Sequence, residues 1–164
     1  IFAKHFNSNK KISKKIIRKI QKASIFQKGL ETIRQLSYSY LDMSFHSIMP
    51  NKIKSIKNHE KDILKDLQFT PDIKDNCIST SFSHIFSGGY SSGYYSYKWA
   101  EVLDADAFEL FIEKGIFNKK VSNSFCENIL SRGGTEDPMK LYLKFRGKKP
   151  DPKALLRRSG LILK

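Results

Sequence analysis

The sequence predicts an all-α chain. Apolar residues recur at helical spacing along most of its length, and strand-like alternation is nearly absent. Helix-start signals punctuate the pattern at Ser13, Asp137-Pro138 and Asp151-Pro152. No internal repeat, low-complexity stretch or domain linker interrupts it, so residues 1–164 read as one segment.

Each element has its own reason. Ser13 is an expected N-cap, and the helix it opens runs to Ser24. Ile12, Ile16, Ile17 and Ile20 form an apolar stripe expected in the core, and the lysines between them take the other face. A second, more buried helix is predicted from Phe26 to Ile48, carrying Leu30, Ile33, Leu36, Tyr40 and Phe45, with Pro50 after its end. Glu60 to Phe69 is predicted as a short amphipathic helix stopped by Thr70-Pro71, and Asp72 to Ser83 as an extended loop. The longest helix is expected from Tyr90 to Lys114. Trp99, Val102, Leu103, Ala107, Leu110 and Phe111 make its stripe, and Gly115 is expected as a left-handed C-cap. Val121 to Leu130 follows, closed by Gly133-Gly134. Two short helices then start at Asp-Pro pairs, where Asp caps and Pro occupies a first position that needs no N–H.

Composition narrows the function classes. A length of 164 residues suits about one domain, at roughly 100–200 residues each. No run approaches the roughly 18 consecutive apolar residues of a membrane helix, so no membrane partner is expected. Cys77 and Cys126 have no Cys-x-x-Cys partner and read as two reduced, buried thiols in a cytoplasmic protein. The net charge of +14 comes from 30 basic and 16 acidic residues. It leaves open a basic helical module that binds nucleic acid or another acidic partner, supported by the run from Lys10 to Lys22. A lysine-rich solvated face explains the same run without a specific nucleic-acid partner.

Chemistry concentrates between His84 and Glu101. One histidine precedes Gly88-Gly89, and Tyr90, Tyr94, Tyr95 and Tyr97 follow within eight residues. Paired glycines let a backbone take positive φ and approach a ligand. Each phenol donates a hydrogen bond at neutral pH. Such groups suit a carbonyl oxygen that is gaining negative charge. Bland readings stand beside this one. His84 alone would fit a core histidine, Gly88-Gly89 a plain turn, and the tyrosines an aromatic seam, with Tyr95 assigned to packing. Tyr90, Tyr94 and Tyr97 are spaced i, i+4, i+7, which places them on one stripe if the helix has begun by Tyr90.

The stretches Phe82-Ser83-His84-Ile85-Phe86-Ser87-Gly88-Gly89-Tyr90 and Gly93-Tyr94-Tyr95-Ser96-Tyr97-Lys98-Trp99-Ala100-Glu101 resemble the C-terminal signature of the thimet-oligopeptidase family, the zinc metallopeptidases of the oligopeptidase A and dipeptidyl carboxypeptidase group. Ile129 to Met139, Phe145-Arg146-Gly147 and Arg158-Ser159-Gly160-Leu161 resemble further blocks in family order. The resemblance implies a helical cleft fold with a Gly/Tyr-rich loop, zinc as cofactor, short peptides as substrates and a monomeric complete enzyme. It implies that His84 binds substrate and that Tyr90 and Tyr97 point at the scissile carbonyl. Tyr94 divides between substrate contact and packing, and Gly88-Gly89 form a mobile loop that closes over peptide. Arg132 reads as part of a helix C-cap with a salt bridge, and Arg146, Arg157 and Arg158 as surface or structural residues.

The family's zinc sits on His-Glu-x-x-His, whose histidines share one helical face while the Glu serves as general base. His59-Glu60 continues to Ile63 where the second histidine belongs, so it is expected to be the solvated start of a helix and no metal ligand. The expectation is therefore the C-terminal portion of a longer peptidase. The zinc-binding half and the third ligand, a glutamate, lie in a missing N-terminal part of the same enzyme, and this chain alone is inactive.

Overall fold

The computed structural model describes residues 3–71 and 73–162. Helices carry the chain, and among the described residues the only extended pairing is an isolated antiparallel bridge between Lys4 and Lys11. α1 spans Lys14–Ser24, and the Ser13 hydroxyl accepts the Ile16 amide as the cap signal predicts. Its isoleucine stripe joins no core. Ile16, Ile17 and Ile20 are exposed, Ile20 at 57%, and no residue of the helix is buried. Periodicity marks a face that wants a partner, and no described element covers this one.

α2 spans Lys28–Ser47, after Gln27 turns through a left-handed conformation. Phe26 therefore lies outside it, and Leu30 and Tyr40 are exposed instead of buried. Pro50–Lys52 forms a 3-10 turn beyond its end. α3 spans Ile56–Leu64, starting at Ile56 instead of Glu60 because the Ser55 hydroxyl accepts the Asn58 amide. The stretch expected as an extended loop contains a 3-10 turn at Ile78–Ser81, and Ser83–Phe86 forms the single turn α4. Asp72, the first residue of that expected loop, lies outside the described residues.

α5 spans Ser96–Lys114, so it begins six residues after Tyr90 and is one residue shorter than the 20-residue α2. Ser91 to Tyr95 form turns instead. Gly115 has positive φ (103°) but an extended ψ of 129°, so it is not the left-handed C-cap expected there. That conformation occurs at Gly147, with φ 80° and ψ −3°. α6 spans Lys119–Phe125, capped by Asn118, and continues as a π turn at Cys126–Leu130. α7 (Pro138–Arg146) and α8 (Pro152–Arg158) start as predicted, with Asp137 accepting the Lys140 amide and Asp151 the Lys153 amide.

The carboxyl-terminal core gathers Ala107 of α5, Val121 of α6, and Tyr142 and Phe145 of α7, with Leu103, Leu110, Phe111, Phe125 and Ile129 packed around them. Through its middle runs a buried polar network. Asp106 is fully buried and accepts the Tyr142 hydroxyl at 2.6 Å and Arg146 Nε at 3.2 Å. Burial and the Asp106 carboxylate together push the Tyr142 phenol well above its ordinary range. Arg157 bridges α8 to Glu109 of α5 at 2.7 and 2.8 Å, and Arg158 pairs with Asp104. Arg146, Arg157 and Arg158 are thus structural, as expected. Arg132 is exposed and forms no ion pair among the described residues, contrary to the salt bridge expected for it. Toward the amino terminus α2 packs on α3, with Leu41 and Ile85 fully buried.

Candidate functional site

The segment from Phe82 to Tyr97 folds back on itself against α2. The turn requires its glycines. A Cβ on Gly88 would lie 2.8 Å from the His84 carbonyl oxygen, and Gly89 has φ +77°. This reversal returns Tyr90 to His84, ring centroid to ring centroid at 4.9 Å, edge to face. Tyr97, on the first turn of α5, stacks on Tyr90 at 5.4 Å. Its hydroxyl lies 3.4 Å from His84 Nε2.

His84, Tyr90 and Tyr97 therefore meet, and all three reach solvent, Tyr90 at 37% and Tyr97 at 38% exposure. They do not meet as a helical stripe, because α5 begins at Ser96; the turn of residues 91–95 brings them together. The Tyr90 phenol beside it is the largest cause holding the Tyr97 hydroxyl above the ordinary phenol range, with desolvation second. Tyr97 accordingly keeps its proton, and its capacity to donate, at neutral pH.

Tyr94 lies beneath them. It is buried, its hydroxyl donates to Gln35 Oε1 at 3.0 Å, and its ring lies edge-on to Tyr38 and Phe82. Burial raises its pKa. It also touches Tyr97 at 5.1 Å between centroids, so it forms the floor beneath the exposed three. Tyr95, assigned to packing, is instead 52% exposed, because the turn points it outward.

Two buried carboxylates, which the motif alone does not reveal, hold this segment and the stretch leading into it. Asp42 of α2 is fully buried and accepts the Ser92 amide at 2.9 Å and the Tyr94 amide at 2.8 Å. His46 Nδ1 lies 2.9 Å from the same carboxylate. Glu60 of α3 accepts the Ile78 amide at 2.8 Å, the Ser79 amide at 2.7 Å, the Ser79 hydroxyl and the Cys77 thiol. Burial works to raise the Glu60 pKa, but these bonds outweigh it and leave the carboxyl below its ordinary range. The expectation that His59-Glu60 is a solvated helix start is therefore overturned. Glu60 is buried, and His59 bonds the Ser44 hydroxyl at 3.1 Å while its ring packs on Phe45. One signal was available for Asp42. It is an acid in a stretch predicted to be buried, and a buried charge must find partners.

Among the described residues no group of three or more His, Cys, Asp or Glu side chains is arranged to hold a metal ion. The residues in hand therefore do not build a zinc site, and the His84–Tyr wall is the chemistry they offer. Both cysteines are free, but neither is buried as expected: Cys77 is half-buried and Cys126 exposed.

An all-helical chain with an imidazole and two phenols on one exposed wall is the class of segment that the sequence motif implied, part of a helical peptidase. Residues 1–161 match the model of Peptidase family M3, and the chain belongs to that family. It is 40% identical to oligopeptidase A of Escherichia coli (strain K12) over 158 residues, covering 96% of this chain and 23% of that protein. It is 37% identical to the organellar oligopeptidase A, chloroplastic/mitochondrial, of Arabidopsis thaliana over 165 residues, covering 98% and 21%. It is 35% identical to dipeptidyl carboxypeptidase of Escherichia coli (strain K12) over 162 residues, covering 98% and 24%. The chain thus spans about a quarter of the length of the curated relatives it matches.

Proposed function

We propose that this chain forms one wall of the substrate cleft in a metallopeptidase that hydrolyses peptide bonds of short peptides. The observation that carries the reading is the meeting of His84, Tyr90 and Tyr97 on one exposed surface, built by Gly88-Gly89 and floored by Tyr94. Tyr97 donates a hydrogen bond to the carbonyl oxygen as it becomes tetrahedral, and Tyr90 supports it. His84 orients the Tyr97 hydroxyl and binds substrate. The Gly88-Gly89 turn lies against bound peptide and closes over it. Such donors accelerate reaction because their bonds strengthen as charge develops.

Zinc, its ligands and the general base belong to the rest of the enzyme, and the chain alone is inactive. That remaining part is also the partner for the exposed Ile16, Ile17 and Ile20 of α1, an apolar face that helical proteins ordinarily cover. The complete enzyme is a monomer in this reading. A cytoplasmic setting suits its free thiols.

The test is steady-state kinetics of the assembled enzyme on one short peptide. Tyr97→Phe keeps the ring and its stacking and removes only the donor. Turnover should fall by about 10²–10³ with little change in KM. Tyr95→Phe, which alters an outward-facing ring, should change turnover far less. His84→Ala should lower turnover and raise KM. Equal and small effects of Tyr97→Phe and Tyr95→Phe would reduce the tyrosines to an aromatic seam.

A further inference from the structure

We infer that Asp42 is a positioning residue that sets the placement of Tyr90 and Tyr97 from a distance. The inference rests on the cleft reading above, and Asp42 touches neither His84 nor Tyr97. It acts through the turn that carries the tyrosines.

That turn is poorly able to hold itself. Between Tyr90 and Ser96 its own backbone bonds are Gly93 N–H to the Tyr90 carbonyl and Ser96 N–H to the Gly93 carbonyl. Ser92 has φ +57°, a left-handed conformation that is unfavourable for a non-glycine residue and persists only where the surroundings over-determine it. Asp42 supplies that determination. One carboxylate oxygen takes the Ser92 amide and the other takes the Tyr94 amide, so two N–H groups from either side of Gly93 point at one anion. Backbone donors of a turn here cradle an anion, with the Gly93 amide between them turned to the Tyr90 carbonyl, and the anion is a side chain of the same molecule.

The anchor is itself held. α2 fixes its backbone, His46 faces the carboxylate from one helical turn on, and full burial excludes the water that would otherwise compete for the two amides. Charge-assisted bonds of this kind are about twice as strong as neutral ones. The mechanical path is short. Asp42 fixes the Tyr94 backbone, the Tyr94 ring lies 5.1 Å from Tyr97 and 5.7 Å from His84, and Gln35 of the same helix holds the Tyr94 hydroxyl. One face of α2 therefore sets both ends of Tyr94, and Tyr94 supports the exposed ring pair.

Asp42→Asn tests this with little change of shape. The amide NH₂ cannot accept, so at least one of the two backbone donors loses its partner. In the full 164-residue chain, followed by NMR, the Ser92 and Tyr94 amides should exchange with solvent about ten- to a hundredfold faster, as loss of a charge-assisted bond implies. Ring-to-ring contacts between His84 and Tyr97 should weaken while far-UV circular dichroism stays unchanged. In the Asp42→Asn background, Ser92→Gly should restore part of the order, because glycine takes positive φ without strain. Unchanged exchange and intact ring contacts in Asp42→Asn would overturn the inference. Should that variant fail to fold, the unaltered chain decides. Ser92 and Tyr94 amides protected relative to the Ser91 amide support the anchor, and equal exchange overturns it. In the assembled enzyme, Asp42→Asn should lower turnover more than it raises KM. Loss of order with undiminished turnover would sink the cleft reading of Tyr97 and leave the anchor standing.

Discussion

Glu60→Gln tests whether one buried carboxylate organises the stretch leading into the candidate site. The native carboxylate serves Ile78 N–H, Ser79 N–H, the Ser79 hydroxyl and the Cys77 thiol. Glutamine keeps one accepting oxygen. Turned toward Ile78 it leaves an NH₂ group facing the Ser79 amide, donor against donor. The Ser79 hydroxyl can rotate to accept, but the amide of this buried residue cannot. An unsatisfied buried donor costs about 1–3 kcal/mol, and exchanging the surviving charged bond for a neutral one adds about 1 kcal/mol. A loss of about 2–4 kcal/mol is expected at pH 7, or roughly 4–16 °C in Tm for a chain of this size.

The pH dependence gives a second, independent reading of the same carboxylate. The folded pKa of Glu60 lies below its ordinary value of 4.5. Its contribution is therefore complete above that value and is lost as pH falls through the folded pKa. Glutamine does not titrate. Urea denaturation of both proteins between pH 7 and pH 3 should show the gap between them narrowing at the acid end. A gap under about 0.5 kcal/mol at pH 7, within the range of ordinary surface changes, would refute the reasoning. So would a larger gap that does not vary with pH.

Asp106→Ala removes the buried partner of Arg146 while Glu113 still accepts from its guanidinium, and should cost about 3 kcal/mol, the low end for breaking a buried pair, in the same assay. Tyr142→Phe removes one donor to a carboxylate and keeps the ion pair, and should cost about 1.5–3 kcal/mol. Duplex DNA should bind the chain weakly, at about 10⁻⁴–10⁻⁶ M at physiological salt, without sequence preference and with a steep fall as salt rises. Nanomolar, sequence-selective binding in that titration would instead make the lysine face of α1 a nucleic-acid interface.

What the sequence disclosed follows the range of the forces involved. The caps at Ser13, Asp137 and Asp151 were legible because each side chain bonds an amide two or three residues away. His84, Tyr90 and Tyr97 were legible as a group because they lie within one short stretch. Their geometry was not. The apolar and aromatic spacing suggested a helix from Tyr90, but Ser91, Ser92 and Gly93 favour turns, and bonds from α2 fix those turns. Asp42 and Ser92 lie 50 residues apart. Nothing local to either announces the pairing. Glu60 is hidden differently, because the partners that make its burial tolerable, at positions 77 to 79, lie 17 to 19 residues away.

The isoleucines of α1 mark the opposite limit. Their spacing does mark a helix with one apolar face, yet they enter no core among the described residues. Amphipathicity is a property of the helix, whereas burial is a property of whatever lies against it. In a chain that spans about a quarter of its relatives, the partner of a face need not lie in the same segment. The same holds for the site. A wall of one imidazole and two phenols is formed here and anchored by α2, while no group of three or more potential metal ligands occurs among the described residues. Exposed apolar helix and metal-free wall thus belong to one account. On the proposed reading, each is half of a contact whose other half lies in the remainder of an M3 peptidase.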